Sequence, residues 1–327
     1  MKYLQGLQKA YEAAGGIILE NTPIDKLTEE GNMHIAAPIN IRARNVIYAT
    51  HLPPNINVFN FECAPYRSYV IAVKLNGAYP DALIYDMQEP YHYVRTHVID
   101  GQPLLLVGGN DHKTGHEQPE KCFEELEKYV RQYYDVLSVE YKWSSQYYIP
   151  ADGLPYVGQI PFSDEGIYCA TGYNGNGMML GTVSAKILAD LISGRENPYA
   201  DLFSPSRIKP IAGFSEFVSE NADVAYHFVA DRLAIESVDS LAEVAPNSGK
   251  VLEVDGKKIA VYRDKNSLLH TLNPVCTHAG CIIAWNNAEK TWDCPCHGAR
   301  YDIDGIVLTG PATKKLQQIL LDESTTK

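Results

Sequence analysis

Two short boxes near the C-terminus restrict this chain more than any other feature. They read Cys276-Thr277-His278-Ala279-Gly280-Cys281 and Cys294-Pro295-Cys296-His297-Gly298. Each offers one thiol and one imidazole from a tight turn, as Cys276-x-His278 and Cys294-x-x-His297. A clustered Cys/His set of this kind reads first as a metal site. A zinc site with two cysteines and two histidines is one use of such donors, but zinc fingers place a helix before the histidines. Here the flanks read as hairpins. Asp255-Gly256 stands between Val251–Val254 and Lys258–Tyr262, and Asp304-Gly305 between Arg300–Ile303 and Ile306–Leu308. The other use is a two-iron cluster, with two cysteines on one iron and two histidines on the other.

Over 236–327 the sequence resembles a Rieske iron–sulfur domain, with both boxes matched residue by residue. The resemblance implies a [2Fe-2S] cluster held by Cys276, His278, Cys294 and His297. It places Gly310-Pro311 at the family's cluster-covering proline loop, so Pro311 is expected over the cluster. Cys281 and Cys296 stand where high-potential members carry a disulfide; two free thiols in a reducing compartment are the alternative. Tyr301 matches the tyrosine that points its hydroxyl at a ligand sulfur. Ala299 stands where those relatives have a serine that donates to a bridging sulfide. Alanine cannot donate, which implies a potential below the top of the family range.

The rest of the chain carries a second signal. Ile167–Thr171, then Gly172-Tyr173-Asn174-Gly175-Asn176-Gly177-Met178, read as a strand, a glycine turn and a helix start. Such a turn lets a ligand approach backbone amides at a positive helix end, though close helix–strand packing explains glycines equally well. With Asp152-Gly153-Leu154-Pro155 upstream, the series resembles the C-terminal end of FAD-dependent oxidoreductases of the D-amino-acid-oxidase type. Val46–His51, Leu106–Gly109 and Trp143–Gln146 extend that likeness towards the N-terminus. It implies that Gly172, Gly175, Asn176, Gly177 and Met178 border the flavin's pyrimidine end. The family's opening strand with G-x-G-x-x-G and an acidic residue beyond it is not found before Tyr3. The chain is therefore expected to start inside the fold and to hold FAD only together with that missing segment. Tyr93 and Arg95, two apart on a strand, are candidates for lining the flavin pocket and gripping a substrate carboxylate, with an ordinary sheet face as the alternative.

These readings give an α+β fold: a partial flavin-oxidoreductase core at 1–205, a helical connector at 206–235 and an all-β domain at 236–327. Helices are expected at 3–14, 119–133 and 178–192, with Phe214–Leu233 a helix with breaks. A short buried strand is expected at Ile17-Ile18-Leu19, and others around 34–37, 46–49, 69–74, 91–96 and 104–107. Cys63, Cys122 and Cys169 read as buried small hydrophobes. A net charge of -12 leaves no basic face for nucleic acid. No apolar run is long enough to span a membrane, and Met1–Gly6 carries no signal core, so a cytoplasmic location is expected. The expected function is flavin-dependent oxidation of a small substrate, an amine or amino acid, coupled to electron transfer through the cluster and an electron donor or acceptor still to be identified. The competing class is a non-enzymatic electron-transfer module on a vestigial flavin scaffold.

Overall fold

The computed structural model describes residues 2–24, 26–30, 33–207, 214–238, 241 and 244–320. Contacts divide the chain into two units, Met1–Val46 and Ile47–Lys327. The first unit holds α1 (Lys2–Ala13) and an antiparallel meander of β1 (Lys26–Glu30), β2 (Met33–Ala37) and β3 (Ile41–Ala43). The stripe of Tyr3, Leu4, Leu7 and Tyr11 does form a helix, but none of its residues is buried. Ile17-Ile18-Leu19 corrects the sequence reading: it is not a strand, and all three side chains are exposed. Three apolar residues are too few to set a register when Asn21, at φ 52°, and Pro23 follow at once.

The second unit opens with β4 (Val46–Tyr48), where the first unit ends. Then come α2 (Phe59–Glu62), β5 (Cys63–Leu75), β6 (Leu83–Tyr85), β7 (Tyr93–Ile99), β8 (Gln102–Lys113), α3 (Pro119–Tyr133) and β9 (Val136–Pro150). β5 to β9 form one sheet in the order β6-β7-β8-β5-β9. Tyr69, Ile71 and Val73 project from one side of β5 against Phe123, Leu126 and Val130 of α3. Each such buried side chain contributes roughly 1.5–3 kcal/mol. Val70 and Ala72 project from the other side, with Leu104, Leu106 and Tyr93. The two-residue period thus gives this sheet two distinct faces.

β10 (Tyr156–Gln159) and β11 (Ile167–Thr171) pair antiparallel and lead into α4 (Gly177–Ile192), whose Ile187 and Leu188 pack on Val157 and Ala170. After α5 (Ala200–Phe203), α6 (Phe214–Leu233) is one continuous helix, without the breaks expected from sequence. Beyond it lie β12 (Glu236–Ser237), β13 (Ser248–Val254), β14 (Lys257–Arg263) and β15 (Leu269–Leu272), one four-stranded sheet. β16 (Ala284–Asn286), β17 (Thr291–Asp293), β18 (Arg300–Tyr301) and β19 (Val307–Thr309) form another. Asp255 and Gly256, both at positive φ, turn the β13–β14 hairpin as their sequence requires.

Candidate metal centre

The two boxes fold into the same turn twice. Cys276 N–H donates to Cys281 O at 2.8 Å, and Gly280 N–H to Cys276 O at 3.0 Å. In the second box Cys294 N–H donates to Ala299 O at 2.8 Å, and Gly298 N–H to Cys294 O at 3.0 Å. Gly280 and Gly298 take φ 82° and 74°, which explains a glycine in each box. The turns aim amides at sulfur: those of His278 and Ala279 at Cys276, and those of Cys296 and His297 at Cys294. Cys281 and Cys296 are joined by a disulfide between the boxes.

The four proposed ligands come together as two pairs, one of thiols and one of imidazoles. Cys276 and Cys294 are buried, free of any disulfide, and hydrogen-bonded to each other. That bond, then Tyr301 and the amides, lowers the Cys276 thiol against burial, while Cys294 is raised. The His278 and His297 rings lie 4.9 Å apart at 85°. The Nδ1 of each is buried without a hydrogen-bond partner among the described residues. Burial, then His278, lowers His297 to about 4, and burial lowers His278, so both rings are neutral near pH 7, the form a metal needs. Two thiols and two orphaned imidazole nitrogens fit a cluster with one iron on two cysteines and the other on two histidines. Tyr301 is fully buried, with its hydroxyl 3.2 Å from Cys276 Sγ. Ala299 is fully buried, and Pro311 is buried beside Ala312, which shares a core with both cysteines.

Tyr301→Phe is expected to lower the reduction potential by about 60 mV, which is about 1.4 kcal/mol for a one-electron couple. The reduced, more negative cluster loses more from the missing donor. Voltammetry on protein with an unchanged cluster spectrum checks this, and an unmoved potential would remove Tyr301 from the tuning set.

The histidine end of the boxes does not face open solvent. Asn60 Nδ2 lies 3.4 Å from His278 Nε2, and the Asn55 carbonyl lies 3.3 Å from the same atom. The Tyr148 hydroxyl donates to His297 O at 3.0 Å, and Gln146 Nε2 to the same oxygen at 3.4 Å. A Cβ on Gly115 would sit 2.6 Å from Pro295 Cβ, so glycine is what lets the chain approach that box. Beside these contacts lies a buried ion network. Arg67 Nη1 reaches Asp293 Oδ2 at 2.8 Å, and Arg300 reaches Asp293 and Glu289 at 3.0 and 2.9 Å. The Ser144 amide donates to Glu289 at 3.0 Å. Burial opposes ionisation of both carboxyls, but Arg67 and Arg300 hold Asp293, and Arg300 and Ser144 hold Glu289, below the usual carboxylate range. None of these docking residues stands out as a site residue in the sequence. A lone arginine inside the apolar run of β5 is the one local hint.

Arg67, Gln146 and Tyr148 alternate with Tyr66, Ser145 and Tyr147 along paired strands, so they share one sheet face and their neighbours occupy the other. On that other face Tyr93 lies flat on Gly108, where a Cβ would come within 2.0 Å of its ring. The Tyr93 and Ser68 hydroxyl oxygens are 3.5 Å apart, and Tyr147 donates to Asp111 Oδ2 at 2.9 Å. Burial raises the Asp111 carboxyl. Tyr91 lies outside the strand but keeps its ring 6.3 Å from that of Tyr93. Arg95 is exposed. His51 stacks edge-on against Tyr148 at 4.7 Å, and His112 Nε2 contacts the Tyr69 hydroxyl at 3.0 Å.

The glycine turn leads from β11 to α4. Gly172 and Gly175 take φ 76° and 73°, and a Cβ on Gly172 would meet Pro150 Cγ at 2.6 Å. Gly175, Asn176, Gly177 and Met178 are exposed, and Asn176 makes no side-chain cap. The first amides of α4 are therefore open beside the apolar Met178 and Met179. An amide-rich helix start next to an apolar ledge fits the polar edge of a flavin. Asn174 N–H donates to Tyr148 O at 3.0 Å, so one residue touches both this turn and His297.

The first 191 residues match the family described as FAD dependent oxidoreductase, and residues 235–320 match the Rieske [2Fe-2S] domain. The chain belongs to the FAD-dependent oxidoreductase family. Its C-terminal part is a Rieske domain. It is 34% identical over 98% of its length to the Bacillus subtilis (strain 168) protein YhfW, named for a Rieske 2Fe-2S centre, and spans 64% of that relative. It is 32% identical over 106 residues to a cytochrome b6-f complex iron-sulfur subunit of Chlorobaculum thiosulfatiphilum, which is 31% of this chain and 58% of that one. A fructosyl peptide oxidase structure aligns with a TM-score of 0.51 at 10% identity, covering 64% of this chain and 58% of that one, which shows the shared flavin-oxidase fold. The two family matches imply FAD and a [2Fe-2S] cluster as the cofactors. Among the described residues no helix is long and apolar enough to cross a membrane.

Proposed function

We propose that the FAD-dependent half oxidises an amine or amino acid and that the electrons pass to the Rieske cluster within the same chain. FAD supplies two-electron oxidation and can give its electrons up singly, which suits a one-electron cluster. One observation carries the reading: β5 and β9 present the box-docking residues Arg67, Gln146 and Tyr148 on one face and Tyr66, Ser68 and Tyr147 on the other. On this reading a single sheet, roughly 10 Å deep with its side chains, would separate the cluster from the substrate side. Cys276, His278, Cys294 and His297 would hold the cluster. Gly172, Gly175, Asn176, Gly177 and Met178 would border the flavin. Tyr93 would line the substrate side with Tyr91 and Tyr147, and the Asp111 carboxylate among these rings suits a cationic nitrogen. Arg95, exposed on β7, would meet a substrate carboxylate.

The test is anaerobic mixing of the FAD- and cluster-loaded protein with a panel of amines and amino acids, followed by EPR. A substrate that bleaches the flavin should generate the reduced-cluster signal in the same sample. Asp111→Asn should raise KM for that substrate at least about tenfold, with the dithionite-reduced cluster signal unchanged. Flavin reduction with a cluster that stays oxidised would refute the coupling. A flavin that no amine or amino acid bleaches would refute the substrate class.

A further inference from the structure

The loop after β8 and helix α6 bring two histidines and two aspartates together, away from the boxes. His116 Nε2 lies 3.1 and 3.0 Å from the two carboxylate oxygens of Asp223. Asp223, His227 and Asp231 follow at one-turn spacing on α6, so they share a stripe of the helix. His227 Nδ1 lies 3.0 Å from Asp231 Oδ2. A ring proton on Nδ1, held by Asp231, leaves the Nε2 lone pair available to a ligand. His227 Nε2 lies 4.0 Å from Asp223 Oδ1. Lys113 Nζ lies 2.7 Å from Asp223 Oδ2.

Two lone-pair atoms this close, with a third donor beside them, are the elements of a cation site. One ligand atom each from His116, Asp223 and His227 lies within 4.8 Å of the others. Tetrahedral ligands at zinc's bond lengths sit about 3.3 Å apart, so small side-chain shifts close the set. Asp231 plays the part of the carboxylate that orients a metal-bound histidine. His116, His227 and Asp231 also line a cavity of about 650 Å³, which leaves a path for the ion and a place for water.

We propose that His116, Asp223 and His227 bind a divalent transition metal of the zinc type, with Asp231 as the positioning residue of His227. Nitrogen and carboxylate donors in a three-ligand set favour zinc or its borderline neighbours over calcium or magnesium. When the ion enters, His116 shifts its ring proton from Nε2 to Nδ1 by exchange with solvent, and the freed Nε2 lone pair takes the ion. The bound metal would pin α6 to the loop before α3. Next to Asp223, the Val224 carbonyl lies 3.9 Å from the disulfide sulfur of Cys296, so the pinned turn also borders the cluster.

The test is calorimetric titration of zinc into the full chain with its cluster loaded, with the visible cluster spectrum recorded before and after. One zinc per chain is expected with the spectrum unchanged. His116→Gln and His227→Gln should each weaken binding at least about tenfold, and Asp231→Asn about tenfold. His116 is 44% exposed, so its variant decides the matter if His227→Gln fails to fold. No zinc uptake would overturn the proposal. So would uptake that survives the histidine changes, or uptake that bleaches the cluster.

Discussion

Replacing Arg67 with methionine is expected to destabilise the docking of the Rieske domain by about 3 kcal/mol, at the low end for breaking a buried ion pair. Its side chain is 3% exposed and spans 226 residues of sequence to reach Asp293. Methionine keeps much of the bulk but leaves two acidic partners with one cation fewer. Arg300 still faces both, which is why the loss should not reach the roughly 5 kcal/mol end of the range. Chemical unfolding followed through the cluster absorption measures it. Arg67→Met combined with Asp293→Asn should cost less than the two changes summed, because they share one interaction. The pH dependence has a definite sign. Asp293 and Glu289 are both depressed in the folded chain, so their contribution is fully present above the ordinary values of 3.8 and 4.5. It is lost as pH falls through the depressed folded values. The gap between the natural chain and the variant should therefore be full near pH 7 and shrink in acid. A gap of under about 0.5 kcal/mol at pH 7 would mean that the network does not hold the seam.

What the sequence makes legible here is what lies close together along it. The boxes each carry their donors within a few residues, so ligands, extra cysteines and glycines can be read directly. α3 shows its stripe because Cys122, Phe123, Leu126 and Val130 all face one packed sheet. The same pattern in α1 is equally regular and buries nothing, since periodicity reports a face and not its partner. β9 is hidden for a different reason. Much of Glu140–Ser145 is exposed, so its fifteen residues lack a clear apolar alternation and only Trp143–Gln146 attracts notice. The seam is least visible of all. Asn60 and His278 stand 218 residues apart, and no local pattern links a short helix before β5 with a box after β15. The strand pairing that seats Tyr148 behind Tyr147 decides which side of the sheet meets the cluster, and that pairing is long-range.

His297→Ala is expected to abolish the cluster. The histidine iron has only two protein donors, and a single imidazole cannot hold it against solvent. The natural chain, purified anaerobically, should be red-brown with about two irons and two acid-labile sulfides. The variant should be colourless, with iron near zero. Packing alone predicts a milder result. His297 is 5% exposed and its ring nitrogens have no hydrogen-bond partner among the described residues, so trimming it to alanine leaves a cavity that adjacent side chains can partly fill. The backbone contact survives as well, because Tyr148 and Gln146 bind the carbonyl of residue 297 and not its ring. A folded, docked and colourless protein is therefore the signature of a lost ligand, distinct from a chain that has come apart. Tyr148→Phe is the matched control: it removes the hydroxyl from the same oxygen and should leave the colour intact. Because ligand binding is also folding free energy, His297→Ala should unfold earlier than the control. If the alanine variant kept its iron, or the natural chain carried stoichiometric zinc after growth in ample iron, the assignment of Cys276, His278, Cys294 and His297 would fall.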